Sequence, residues 1–269
     1  MVNQIKPIIM DNFSSLNEKH LIYEKLNSEN LAWWKFVKDN IKLGTFYVDI
    51  RKNNTLNVYY NGGSLIKISL SEGNLKCIIH EFYLGQLGSK YLRIDPNDII
   101  YDVDRLKSRI DLRYSNSSEN GIKAKLICNP NSTFIDSEFA YSSTRIDMTK
   151  IENGEIVFVE LKRIQDGRLL TNEYENVEPE VLKQIKEYNK FISTYKQEIL
   201  KYYYKLFTIK RKLDILPNSL SRIENINEYD LRSDVELYIE PYPYLNSKRK
   251  KRIDAIKNIL DKNNIINNL

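Results

Sequence analysis

Apolar positions change period several times along this chain, and the changes mark out its elements. From residue 16 to about 43 they recur at helical spacing, which predicts one or two helices. Ser28 is placed to cap the second, which carries Leu31, Trp33, Trp34, Phe36 and Val37. The paired tryptophans suit packing between elements better than a base-stacking platform. Residues 44–80 have another texture. TFYVDI, TLNVYY, SLIKISL and NLKCIIH are short, β-branched and aromatic, and KNN, NGG and SEG separate them. They predict an antiparallel meander, which would serve equally as a nucleic-acid platform, a dimer surface or a small sheet. Residues 101–112 suit a helix, and the polar RYSNSSENG that follows suggests a loop or domain joint between about 113 and 131.

Beyond that joint the order changes. FIDSEFAY (134–141) suits a short helix, TRIDMTKI (144–151) a strand, ENGE a turn and IVFVELKR (156–163) a second strand. Residues 177–207 form a long helical region broken once. DVELYIE (234–240) is another strand, and LNSKRKKRIDAIKNIL a basic helix. The plan is α/β (α+β): a central mixed sheet flanked by helices over residues 126–269, preceded by an N-terminal helical and β-meander region over residues 1–125.

The strand at 156–163 poses a chemical question. Alternate residues of a strand share a face, so Glu160 and Lys162 point the same way as Ile156 and Phe158, while Val157, Val159 and Leu161 point the other way. Both faces begin apolar, which predicts cover on both sides. A covered strand that ends in charges needs partners for them, because an unpaired buried charge costs several kcal/mol. The turn at Asn153–Gly154 makes 144–151 its antiparallel neighbour and brings Asp147 to about the height of Glu160. Two converging carboxylates are the hard oxygen donors that Mg²⁺ prefers. A lysine beside them suits positioning or deprotonating a water, and the set suits attack on a phosphodiester. A plain solvent-facing ion pair is the competing account of E-x-K on a strand.

Composition narrows the field. The 269 residues are 42% hydrophobic and 29% charged, ordinary for a globular protein, and the net charge of +5 is compatible with a polyanionic partner. Cys77 and Cys128 lie far apart, against a disulfide framework or a cysteine zinc site, and point to a reducing cytoplasm. His20 and His80 are isolated, against a histidine-rich zinc site. MVNQIKPIIMDNF does not read as a signal peptide, and no apolar run reaches the about 20 residues of a membrane span.

Asp147 followed by Glu160-Leu161-Lys162 resembles the PD-(D/E)xK nuclease superfamily, over roughly residues 130–240. Glu138, on the expected helix before the hairpin, stands where many members carry a further metal-site glutamate. Gln184-Ile185-Lys186-Glu187-Tyr188 looks like the Q-x-x-x-Y element of RecB-like members. Ile146 replaces the proline of the superfamily's name, a position that does no chemistry. The resemblance implies a restriction-endonuclease-like core and a nuclease that uses Mg²⁺ or Mn²⁺. Asp147, Glu160 and the Leu161 carbonyl would hold the metal, with Glu138 supporting a second. Lys162 would position water and stabilise transition-state charge. Gln184 and Tyr188, four apart on one helix face, would orient the site or hold the nucleic-acid backbone. Lys183, Lys186 and Lys190 on that helix, and Lys248 and Arg249 in the run KRKKR, are candidate phosphate contacts.

These readings lead to a metal-dependent nuclease with DNA as the expected substrate, in restriction or defence against foreign DNA by analogy. Cutting two strands leaves room for a homodimer, and the N-terminal region for target recognition or a protein partner. The alternative is a nucleic-acid-binding or assembly subunit that keeps the fold without cleaving.

Overall fold

The computed structural model describes residues 15–170 and 178–269. The segment read for a signal peptide, and Val177 at the head of the long helical region, lie outside the described residues. Among the described residues there are seven α-helices and two five-stranded sheets.

Helices α1 (Leu21–Ser28) and α2 (Ala32–Lys42) bury Ile22, Tyr23, Leu26, Trp33, Trp34 and Val37. Both tryptophans are core residues, at 3% and 2% exposure. Ser28 does not cap α2. It ends α1, where its hydroxyl donates to the Glu24 carbonyl at 2.8 Å, and Leu31 precedes α2 without a side-chain cap. Three residues separate the helices, and the serine falls inside the first one's last turn.

The meander is present as β1 (Phe46–Ile50), β2 (Leu56–Tyr60), β3 (Gly63–Ser71), β4 (Asn74–His80) and β5 (Tyr91–Arg93), antiparallel and in chain order. Helix α3 (Asp98–Arg113) follows. The segment expected as a loop or joint contains a further helix, α4 (Glu119–Ile127). Ser118 caps it, its hydroxyl accepting from the Gly121 N–H at 3.1 Å. Ile122 and Ala124 are buried, and α4 crosses the expected boundary at residue 125 to pack on the second sheet.

That sheet comprises β6 (Phe134–Tyr141), β7 (Thr144–Glu152), β8 (Glu155–Arg163), β9 (Asp230–Leu231) and β10 (Glu236–Glu240). Its order is β10-β8-β7-β6, with β9 also parallel to β8, so β8 is central. FIDSEFAY is therefore the strand β6 and not a helix. Ile135 and Phe139, four apart, fit a helix as well as an irregular strand, and pairing along the open edge of β7 decides the matter. The irregularity shows as a register shift between Phe134 and Asp136 and a positive φ of 57° at Glu138. Strand β8 is buried from Ile156 to Lys162, as its two apolar faces require. Helices α5 (Glu180–Thr194) and α6 (Lys196–Lys212) break once, at Tyr195, and α7 (Ser247–Lys262) is the basic helix.

The principal hydrophobic core is continuous between the two sheets, from Phe46, Ile50 and Leu56 to Phe139, Phe158 and Tyr203. A buried polar junction joins them where β1 meets β6. Asp49 accepts from the Ser137 N–H at 3.2 Å and from the Ser137 hydroxyl, and Arg51 donates to the Ser137 carbonyl at 2.6 Å. Lys210 of α6 lies 4.0 Å from Asp49 and donates to the Ile135 carbonyl. No helix among the described residues is long and apolar enough to cross a membrane.

Candidate functional site

The site grows from a fault in the β6-β7-β8 ladder. Ser137 pairs with Met148 and Phe139 with Ile146, so Glu138 stands opposite Asp147, yet that pair is skipped. Met148 pairs with Val159, and the next step of the register sets Asp147 opposite Glu160. Regular pairing of β7 with β8 stops there. The Asp147 side chain bridges the gap, its Oδ2 accepting from the Leu161 N–H at 2.9 Å. Three carboxylates from adjacent strands thus stand in a row: Glu138, Asp147 and Glu160. The left-handed backbone at Glu138 is uncommon for a residue with a side chain, and such departures cluster at functional sites.

Glu160 is 3% exposed. Its Oε1 accepts from Lys162 Nζ and, at 2.9 Å, from Gln184 Nε2. Its Oε2 is buried with no hydrogen-bond partner. Burial first, and the charge of Asp147 second, push the carboxyl up to about 7, and Lys162 opposes this. Gln184 also donates to the Tyr188 hydroxyl at 2.7 Å, and Tyr188 donates to the Arg145 carbonyl. Gln184 therefore holds Glu160 from α5, and Tyr188, four residues on, ties the same helix face to β7.

Two further residues reach the site from α4, one helical turn apart. Lys123, buried, donates to Glu138 and, at 3.3 Å, to Asp147 Oδ1. Burial alone would lower its pKa, but Asp147 and Glu138 outweigh burial and raise it. The Glu119 carboxyl is raised by desolvation and then by the charge of Asp147, with Lys123, Lys162 and Arg168 opposing. Arg168, in the turn after β8, is gripped by Asp166, with Nε–Oδ1 at 3.0 Å and Nη2–Oδ2 at 2.6 Å, and its charge reaches Glu119 and Glu160. Glu119 and Lys123 had a signal in the sequence: a serine cap at Ser118 followed by Ile122 and Leu126 four apart. For Arg168, spacing supplied none.

The other expected residues are placed differently. Glu138 sits on β6 and not on a helix, for the reason already given. Lys183, Lys186 and Lys190 are exposed. At about 100° per residue they lie roughly 120–180° around α5 from the face of Gln184 and Tyr188, away from the carboxylates. Lys186 pairs with Glu178. Lys248 is exposed at the start of α7, while Arg249 lies over the rings of Tyr242 and Tyr244, 4.8 and 4.5 Å from their centroids, and donates to the Tyr244 carbonyl. Arg252, in the same run, is structural, its guanidinium donating to the Ile164 and Asp166 carbonyls.

The donor set is compatible with a hard divalent cation. Asp147 and Glu160 offer carboxylate oxygens, and the unpartnered Glu160 Oε2 is a buried acceptor that a cation would satisfy. Among the described residues no group of three or more His, Cys, Asp or Glu has the spacing to hold a metal. A third carboxylate, from Glu138 or Glu119, would join only by moving its side chain. No family model matches this chain, and comparison with curated proteins and with solved structures gives no match either.

Proposed function

We propose that this chain is a metal-dependent nuclease with a PD-(D/E)xK-type, restriction-endonuclease-like core, hydrolysing phosphodiester bonds of nucleic acid, with DNA the expected substrate. The observation that carries the reading is the meeting of Asp147, Glu160 and Lys162 where the β7–β8 ladder stops, with one Glu160 oxygen buried and unpartnered. Mg²⁺ or Mn²⁺, held by Asp147, Glu160 and the Leu161 carbonyl, would supply Lewis acidity and charge neutralisation at the scissile phosphate. The chain's own groups do the rest. Lys162, anchored by Glu160, holds the attacking water and offsets negative charge as it develops. Gln184 fixes the direction of the Glu160 carboxylate, and Arg168 at the rim offers a planar donor set for a phosphate oxygen.

One observation favours the second reading, a nucleic-acid-binding subunit that does not cleave. The Lys123 ammonium already lies between Glu138 and Asp147, where it neutralises the pair without a metal. The test uses wild type and Lys162→Ala with circular plasmid, single-stranded DNA and RNA, each in Mg²⁺, Mn²⁺ or EDTA. Cleavage by wild type only with metal, abolished in the variant, supports the nuclease and names its substrate. Binding by both proteins with no cleavage by either would replace it with the binding subunit.

A further inference from the structure

The first sheet and the carboxylate row share a concave surface. A cavity of about 440 Å³ is lined by Tyr47, Tyr59, His80, Tyr83, Tyr91 and Tyr114. Its lining also includes Lys123 and Glu138, so it borders the site directly. The chain has 19 tyrosines, so one tyrosine means little, but five on one cavity are more than that bias explains. Some form a rigid floor: Tyr47 and Tyr83 are buried, and Tyr47 stacks on Tyr59 with centroids 4.9 Å apart and planes at 10°. Others are open. Tyr91 is 53% exposed, its ring edge-on to His80 with centroids 5.3 Å apart.

The polar groups are those a nucleotide needs. His80 Nδ1 accepts from the Phe82 N–H at 3.2 Å, which leaves the proton of the neutral ring on Nε2 as a donor. Arg113, which is exposed, lies 6.0 Å over the Tyr114 ring, while Lys123 is already paired with Glu138 and Asp147. The volume falls within the about 300–1,000 Å³ of small-ligand sites. Aromatic rings beside a cation suit bases whose faces are free, since stacking is tolerant of sequence and worth about 1–3 kcal/mol per base.

We propose that this cavity receives an unstacked nucleobase of the strand whose backbone passes Asp147 and Glu160, so that the protein acts on single-stranded or locally unpaired nucleic acid. The proposal rests on the nuclease reading for the path of the backbone. A paired duplex keeps its base faces covered and cannot fill the cavity.

The experiment measures fluorescence anisotropy of two labelled probes in EDTA: an oligothymidine of roughly 20 nucleotides, longer than a single-strand site of about 4–16, and a duplex of equal length. Wild type, Tyr91→Ala and Tyr91→Phe are compared, and each is also assayed for cleavage of single-stranded DNA in Mg²⁺. Wild type should prefer the single strand. Tyr91→Ala should weaken that binding about tenfold and leave duplex binding unchanged, and Tyr91→Phe, which keeps the ring, should bind as wild type. Cleavage by wild type with single-strand affinity unchanged in Tyr91→Ala overturns the cavity and spares the nuclease. The Tyr91 effect without cleavage by any of the three sustains the cavity and removes the nuclease. Preference of wild type for duplex, or no binding to either probe, overturns the cavity outright.

Discussion

Glu160 gives the sharpest prediction, because it must lose a proton before it can hold a metal. Its carboxyl, raised first by burial and then by Asp147, titrates at about 7. The ionised fraction is then about one in eleven at pH 6 and about ten in eleven at pH 8. Apparent affinity for Mn²⁺ should therefore rise about tenfold between those values, steeply below pH 7 and flattening above it. Each binding event should release about 0.9 proton at pH 6 and about 0.1 at pH 8. Isothermal titration calorimetry in two buffers of different ionisation enthalpy counts those protons directly and needs no turnover. Glu160→Gln should abolish the pH dependence along with most of the affinity. Measurable Mn²⁺ binding with equal proton release at both pH values would refute the reasoning. So would a tenfold pH dependence that persists in Glu160→Gln, since another group would then be titrating.

Lys123→Met removes the cation between Glu138 and Asp147. Its metal-free melting temperature should fall while Mn²⁺ binds about tenfold more tightly, the effect of about 1.4 kcal/mol of cation repulsion at a partly buried site. Weaker Mn²⁺ binding would show that the lysine supports the metal. Gln184→Ala frees the Glu160 carboxylate to turn, so metal affinity or cleavage should fall about 10–100-fold with little change in melting temperature. Asp136, raised to about 7 by burial and then by Asp49, holds its proton more tightly folded than unfolded. The stability this gives is full below about pH 4 and lost as pH rises through 7. Asp136→Asn does not titrate, so its melting temperature relative to wild type should climb from pH 5 to pH 8. Phe158→Ala, at a fully buried ring 5.0 Å from Phe139 and 5.7 Å from Tyr203, should cost about 3–5 kcal/mol in chemical denaturation.

The hairpin that carries Asp147, Glu160 and Lys162 was legible because two sequence signals agree on it. Asn153–Gly154 fixes the turn, and the turn fixes the register that sets Asp147 opposite Glu160. The meander was legible for the same reason, having short β-branched runs between turn residues. β6 was not, because its apolar spacing serves two periods and its fate depends on the edge of β7, a partner its own residues do not encode. α4 was lost to composition. SNSSENG looks like linker, and its serine and glutamate matter only because Ile122 and Ala124 anchor the next turn against the sheet. The face presented by Gln184 and Tyr188 was readable from a spacing of four, and the same geometry turns Lys183, Lys186 and Lys190 away. A helix seen only as a run of basic and aromatic residues does not disclose that division.

Two clusters in this fold share the marks often used to find active sites, and only one suits chemistry. At the sheet junction Asp136 is raised to about 7 and its Oδ1 is buried without a hydrogen bond, as Oε2 is in Glu160. The junction, however, is compensated within itself, although a cavity of about 100 Å³ lined by Asp49, Asp136 and Lys210 reaches it. Asp49, Asp136 and Lys210 are 1%, 3% and 5% exposed, and Arg51 and Lys210 already balance the acids. Its contacts join β1, β6 and α6, which is work for stability. In the carboxylate row the same marks coincide with three others: a ladder that stops, a left-handed glutamate, and side chains still reached by solvent, Asp147 at 14% and Glu138 at 44%. A raised pKa reports burial and like charge wherever they occur. A candidate site needs both a group held out of its preferred state and solvent-reached side chains beside it, and of these two clusters the Glu138–Asp147–Glu160 row has the more exposed carboxylates.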